Sequence, residues 1–222
     1  MPRKNVIKEL WAGGYYHVYN RGVAKQSIFR KKADYRVFLR YLKEYLLPKE
    51  HPDRLQLQGL NPRRRSTNCY GEVKLYAFCL MPNHFHLQAK NLTEDGLAKF
   101  MRAVCTNYSM YFNHEYDRVG PLFQSSYKAV ETLNDGQLLS VNRYIHRNPV
   151  PLTTRVKPLY QYEYSSYPAY LGHWQMDWLD TEEIGGRFST TNPRSNYQNF
   201  VEGSEEMPAT WENLYLGMDD EG

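Results

Sequence analysis

Two histidines, His84 and His86, stand one residue apart in the run Leu80-Met81-Pro82-Asn83-His84-Phe85-His86-Leu87. In an extended strand alternate side chains leave on the same face, so both imidazoles share a side and Phe85 points the other way, into a core. Two neutral imidazoles so placed can hold one divalent metal ion; equally, they can be a strand-edge pair, one hydrogen-bonded and the other exposed. Cys79 would extend the set to Cys-x4-His-x-His, but that spacing fits no common zinc module, and Cys79 alternates with Leu80 in a strand that needs buried residues. It is assigned to packing. A third ligand has to arrive from elsewhere. Tyr144 and Asn148 are i and i+4 in a helical pattern, hence on one helix face, which puts a phenol beside an amide carbonyl. Tyr111 and Glu115 offer the same spacing, although Val104, Tyr108 and Phe112 around Tyr111 speak for core packing. His17 shares a strand face with Tyr15 and Tyr19, where it can support a site or simply pack. His146 lies near Tyr144 in the chain but on another side of the helix, and is left out of the site.

These side chains need a scaffold, and the hydrophobic pattern supplies one. Tyr15 to Tyr19 reads as a strand closed by the turn Asn20-Arg21-Gly22. A helix follows with Asp34 as its N-cap and Val37, Phe38, Tyr41, Leu42 and Tyr45 on one face, stopping before Pro48. Residues 48–70, with three prolines and Arg63-Arg64-Arg65, read as an inserted basic loop. Val73 to Leu80 and His84 to Ala89 are strands around a Pro-Asn turn. A second helix runs from Gly96 through Phe112, Tyr127 to Thr132 is a short strand, and Asp135 caps a third helix ended by Pro149. The order β-α-β-β-α-β-α implies an α+β fold, a ferredoxin-like antiparallel sheet with the helices against one face. From residue 173 to 222 the chain turns acidic, with scattered aromatics, and reads as a loosely packed extension of the domain formed by residues 1–172.

The net charge of +4 conceals a gradient. Residues 1–70 hold 16 Lys and Arg against 5 Asp and Glu (+11), residues 71–150 hold 8 against 7 (+1), and residues 151–222 hold 4 against 12 (−8). A basic first third suits a polyanion, and the acidic end suits a solvating tail or a segment that competes with that polyanion for the basic face. Twenty tyrosines in 222 residues supply flat faces with a hydroxyl, as unpaired bases require. Three cysteines without a C-x-x-C spacing support neither a disulfide framework nor a paired-cysteine zinc site. No apolar run approaches the roughly 18 residues of a membrane span, and the N-terminal residues carry no secretory pattern, so the expected location is the cytoplasm.

Four ordered motifs carry a family resemblance: Tyr16-His17-Val18 with Asn20-Arg21-Gly22; Leu80 to Leu87; Arg118-Val119-Gly120-Pro121-Leu122-Phe123-Gln124; and Arg143-Tyr144-Ile145-His146-Arg147-Asn148-Pro149. Over roughly residues 10–172 the sequence closely resembles the REP-associated tyrosine transposases, relatives of the single-tyrosine insertion-sequence transposases among the HUH endonucleases. The resemblance implies that His84 and His86 are metal ligands, that Asn148 completes the metal site, and that Tyr144 is the nucleophile. The implied cofactor is a divalent metal ion, Mg2+ or Mn2+. The implied reaction is cleavage of single-stranded or hairpin DNA through a 5′-phosphotyrosine, with later rejoining, by a monomer or homodimer that meets the nucleoid when acting. A free phenol, with a pKa near ~10, needs such assistance to attack phosphate. Arg21, Arg63, Arg64, Arg65, Lys128, Arg143 and Arg147 are the expected phosphate contacts. Arg147, where an aliphatic residue is usual, and Ser126, where a basic one is common, depart from the family pattern without touching the proposed chemistry. The competing expectation is a non-catalytic module that binds single-stranded nucleic acid on the same sheet.

Overall fold

The extended segments pair into one antiparallel sheet. A computed structural model describes residues 9–54, 67–152, 158–188 and 191–203. Its strands are β1 (Tyr15–Arg21), β2 (Val73–Met81), β3 (His84–Asn91) and β4 (Lys128–Thr132). The longer helices between and after them are α1 (Lys32–Leu46), α2 (Gly96–Glu115) and α3 (Asp135–Arg147). The strand order β2-β3-β1-β4, antiparallel throughout, is the expected α+β, ferredoxin-like arrangement. β2 and β3 form a hairpin closed by the Met81–His84 pair, which leaves Pro82 and Asn83 as the turn.

One face of the sheet presents Val18, Phe78, Leu80, Phe85 and Leu87 to Phe38 and Leu42 of α1 and to Phe100 and Val104 of α2. The third helix departs from the expectation that the helices share a face. Val141 and Ile145 of α3 pack on Ala77, Cys79 and Met81, on the opposite side. A β-bulge between Leu75 and Ala77 makes this possible. Without it, Ala77, Cys79 and Met81 would continue the face of Val73 and Leu75; with it, they turn toward α3 while Phe78 and Leu80 stay in the main core.

Two helix starts also differ from the sequence reading. Asp34 lies in the first turn of α1, where its buried carboxylate accepts the N–H groups of Arg30 (2.8 Å) and Lys31 (3.0 Å) and the hydroxyls of Tyr111 (2.9 Å) and Tyr116 (2.7 Å). At α3 the cap is Asn134, not Asp135: its side chain accepts Gln137 N–H at 2.9 Å, and the Gln137 side chain reaches back to Leu133 N–H at 2.8 Å. The amide oxygen of Asn134 is geometrically better placed than the carboxylate one residue on, which points outward to Arg187.

The expectation of loose packing beyond residue 173 does not hold for the described part. The short helices α4 (Tyr167–Tyr170) and α5 (Glu182–Gly185) and the longer α6 (Pro193–Glu202) build a second core from Tyr76, Leu138, Tyr167, Ile184, Tyr197 and Val201. Acidic composition concealed it, because the apolar positions are aromatics spaced widely along the chain. Its acids also find partners, Asp180 with Lys74 at 2.9 Å and Glu183 with Lys90 at 3.5 Å. Among the described residues no helix is long and apolar enough to cross a membrane.

Candidate active site

The histidine pair is fixed by its turn. Pro82 carbonyl accepts the N–H groups of Ile28 (2.8 Å) and Phe29 (3.0 Å), and Asn83 carbonyl accepts Gly22 N–H (2.8 Å). Gly22 can approach so closely only without a side chain: a Cβ there would lie 2.3 Å from the Gln26 carbonyl oxygen. The Gly120–Gln124 motif runs alongside, with Val23 N–H donating to Leu122 O (3.0 Å), Gln124 N–H to Arg21 O (2.9 Å) and the Asn20 amide to Ser125 O (3.1 Å). The separated sequence motifs therefore converge on one end of the sheet.

On the α3 side of that end lie His84, half-buried, and His86, fully buried, while Phe85 enters the main core as expected. His86 Nδ1 is 2.8 Å from His17 Nε2. His86 Nε2 is buried with no hydrogen-bond partner among the described residues. Burial holds the His86 pKa well below the ordinary imidazole value, and His84, His17 and Arg21 push it the same way, so the ring is neutral and has a lone pair to give. The other imidazole contacts two amide oxygens, Asn83 Oδ1 at 2.6 Å from Nδ1 and Asn148 Oδ1 at 3.1 Å from Nε2. A neutral imidazole has one N–H. With that proton given to Asn83, the closer partner, His84 Nε2 and Asn148 Oδ1 face each other as two electron-pair donors. A cation relieves such a juxtaposition, and neighbouring ligands of an octahedral ion with bonds of ~2.1 Å stand about 3 Å apart. Among the described residues no group of three His, Cys, Asp or Glu side chains is placed to hold a metal ion.

Tyr144 completes the cluster. Its ring meets His86 edge-on with centroids 5.3 Å apart and His17 at 5.7 Å, while Asn148, just past the end of α3, meets His84. Tyr111 is excluded as a rival, since its hydroxyl is donated to Asp34 on the far side of the sheet. Cys79 is fully buried between sheet and α3, and burial pushes its thiol pKa well up, in keeping with packing. His146 is structural too: buried, with its pKa pushed down to about 3, it joins Tyr197 and, at 2.7 Å, Ser166 Oγ.

The expected phosphate contacts divide. Arg21 closes β1 opposite His84, and the Lys128 ammonium lies 5.9 Å from the Tyr19 ring beside the site. Arg143 and Arg147 are engaged within the chain. Arg143 is 5% exposed and donates to Gly203 O at 2.6 Å, and Arg147 donates to Val201 O at 2.7 Å; both guanidinium groups cap the carboxyl end of α6. Their partners lie 54 and more residues away in the acidic segment, which no local pattern reveals. Arg63, Arg64 and Arg65 lie outside the described residues. Asn83 and His17 were not assigned roles by sequence reasoning; the alternation of Tyr15, His17 and Tyr19 on one face was the available signal for His17.

Residues 64–148, which span the histidine pair, Tyr144 and Asn148, match the family described as Transposase IS200 like. Over those residues the sequence is similar to the IS200-like transposases, and they lie on the ferredoxin-like sheet described above. The fold is similar to that of the solved structure of a REP-associated tyrosine transposase bound to a REP hairpin, at 14% identity and a TM-score of 0.51, over 81% of this chain and 93% of that one. No curated protein matches the sequence.

Proposed function

We propose that this protein is a metal-dependent nuclease and strand transferase that cleaves single-stranded DNA beside a hairpin through a covalent link to Tyr144. The observation that carries the reading is the meeting of Tyr144 and Asn148, one turn apart on α3, with His84 and His86 of β3. The solved transposase of the same fold is bound to a REP hairpin, which supports hairpin DNA as the substrate class here. Location in the cytoplasm, at the nucleoid when acting, belongs to the same reading.

In the reaction the Tyr144 phenolic oxygen attacks the scissile phosphorus and loses its proton, the bond from phosphorus to the 3′ oxygen breaks, and that oxygen takes up a proton. The products are a 5′-phosphotyrosine and a free 3′-OH. The bond energy is conserved, so attack by a 3′-OH reverses the step on the same or another strand. His84, His86 and Asn148 would hold the Mg2+ or Mn2+, which when bound supplies Lewis-acid polarisation of the phosphate. His86 packs against the rings of Tyr144, Tyr19 and His17. Arg21 and Lys128 flank the site as phosphate contacts, and Arg63, Arg64 and Arg65 are further phosphate contacts in the same proposal.

The test is a gel assay with labelled hairpins bearing single-stranded flanks, in Mg2+ and in chelator. Wild type and Tyr111→Phe are expected to yield a covalent adduct in Mg2+ only, and Tyr144→Phe none. An adduct that survives in Tyr144→Phe refutes the nucleophile. Tight binding by wild type without cleavage in any metal favours the non-catalytic binding module.

A further inference from the structure

His17 is fully buried on β1 and touches both halves of the site. Its ring stacks near-parallel to His86 (15°, centroids 5.1 Å apart), and it meets the Tyr144 ring edge-on at 5.7 Å. The 2.8 Å contact between His17 Nε2 and His86 Nδ1 needs one proton between two nitrogens. If His86 supplies it, His86 is the Nδ1–H tautomer and its Nε2 keeps a lone pair. If His17 supplies it, His86 carries its proton on Nε2, a buried donor with no partner among the described residues. The first arrangement puts a proton on His17 Nδ1, which is buried as well, so burial of an N–H does not separate the two; only the first leaves His86 Nε2 a lone pair for a cation.

We propose that His17 is a positioning residue: its Nε2 accepts the Nδ1 proton of His86 and so holds His86 in the tautomer and ring orientation that offer Nε2 to a metal ion. The inference rests on the metal reading above and deepens it. A metal-bound imidazole ordinarily donates its second N–H to a carboxylate or a carbonyl, and losing that acceptor weakens metal affinity by about 10–100-fold. Here the acceptor is a second imidazole, neutral and enclosed by the same sheet face. His17 therefore sets the direction of the ligand without adding negative charge to it.

Two variants separate positioning from packing. His17→Leu fills the space without an acceptor, while the amide oxygen of His17→Gln can take the place of Nε2. Calorimetric titration of the metal-free proteins with Mn2+ alone is expected to show His17→Leu weakened about 10–100-fold and His17→Gln within a few-fold of wild type. Long-range 1H–15N spectra of the metal-free wild type are expected to show His86 protonated on Nδ1. Equal Mn2+ affinity in wild type and His17→Leu overturns the role of His17 and leaves the metal site standing. Wild type that takes up no Mn2+ overturns the metal reading and this inference with it. Should His17→Leu fail to fold, the wild-type spectra decide, and a proton found on His86 Nε2 overturns the proposal.

Discussion

Tyr197 joins the C-terminal part of the chain to α3, and removing its hydroxyl measures that joint. The ring is 1% exposed, stacks on Tyr170 with centroids 4.6 Å apart, and meets Phe188 at 5.1 Å. Its hydroxyl touches Asn142 Oδ1 and His146 Nδ1, both on fully buried side chains of α3. Tyr197→Phe keeps the ring contacts and deletes only the oxygen. Asn142 still donates to Gln88 Oε1 at 2.8 Å, but Asn142 Oδ1 loses the hydroxyl that donated to it and His146 Nδ1 loses its partner. One unsatisfied buried acceptor costs about 1–3 kcal/mol. With a urea slope of about 3 kcal/mol per M for a chain of this size, the midpoint should fall by about 0.3–1 M at unchanged slope. The assay is equilibrium urea unfolding followed by tyrosine fluorescence and by far-ultraviolet circular dichroism, with coincident transitions as the check on two-state behaviour. A midpoint within about 0.1 M of wild type would refute the claim that the extension and α3 share a buried polar network.

Asp34→Ala should lower stability by several kcal/mol, because it strands the Tyr111 and Tyr116 hydroxyls and two backbone N–H groups at once, and thermal unfolding will show it. Asn134→Ala should cost about 1 kcal/mol and Asp135→Ala clearly less, the reverse order contradicting the cap assignment. Gly22→Ala should disturb the histidine turn, since its Cβ would meet the Gln26 carbonyl at 2.3 Å, and reduced Mn2+ affinity with DNA binding retained is the expected readout. The carboxyl of Glu183 is pushed up by burial, but hydrogen bonds from Tyr15 and Tyr76 and the charge of Lys90 outweigh this and hold its pKa below the usual value. A lowered folded pKa stabilises above the unfolded pKa of about 4.3, and the benefit drains away as pH falls through the folded value. Wild type should accordingly lose its advantage over Glu183→Gln below about pH 4, as pH-dependent melting curves would reveal.

The succession of strands and helices, the hairpin with its paired imidazoles and the shared helical face of Tyr144 and Asn148 could be read from the sequence because each rests on a short period: two residues for a strand, three to four for a helix. What escaped reading depends on distant partners. The Leu75–Ala77 bulge decides which side of the sheet α3 covers, and the run Val73 to Leu80 gives no sign of it. The hydrogen bonds of Arg143 and Arg147 to the end of α6 have no local signal either. His17 becomes interpretable only when β1 lies against β3 and its ring meets His86, 69 residues on.

The arrangement around α3 also sets an order of assembly during synthesis. The sheet that carries His84 and His86 needs chain no further than Thr132, and α3 itself ends at Arg147. The hydroxyl that answers Asn142 and His146, and the carbonyls that engage Arg143 and Arg147, belong to Tyr197, Val201 and Gly203. A nascent chain shorter than this has its two histidines in register but the helix bearing Tyr144 without its outer partners. The helix bearing Tyr144 thus gains its outer partners last, from the C-terminal side.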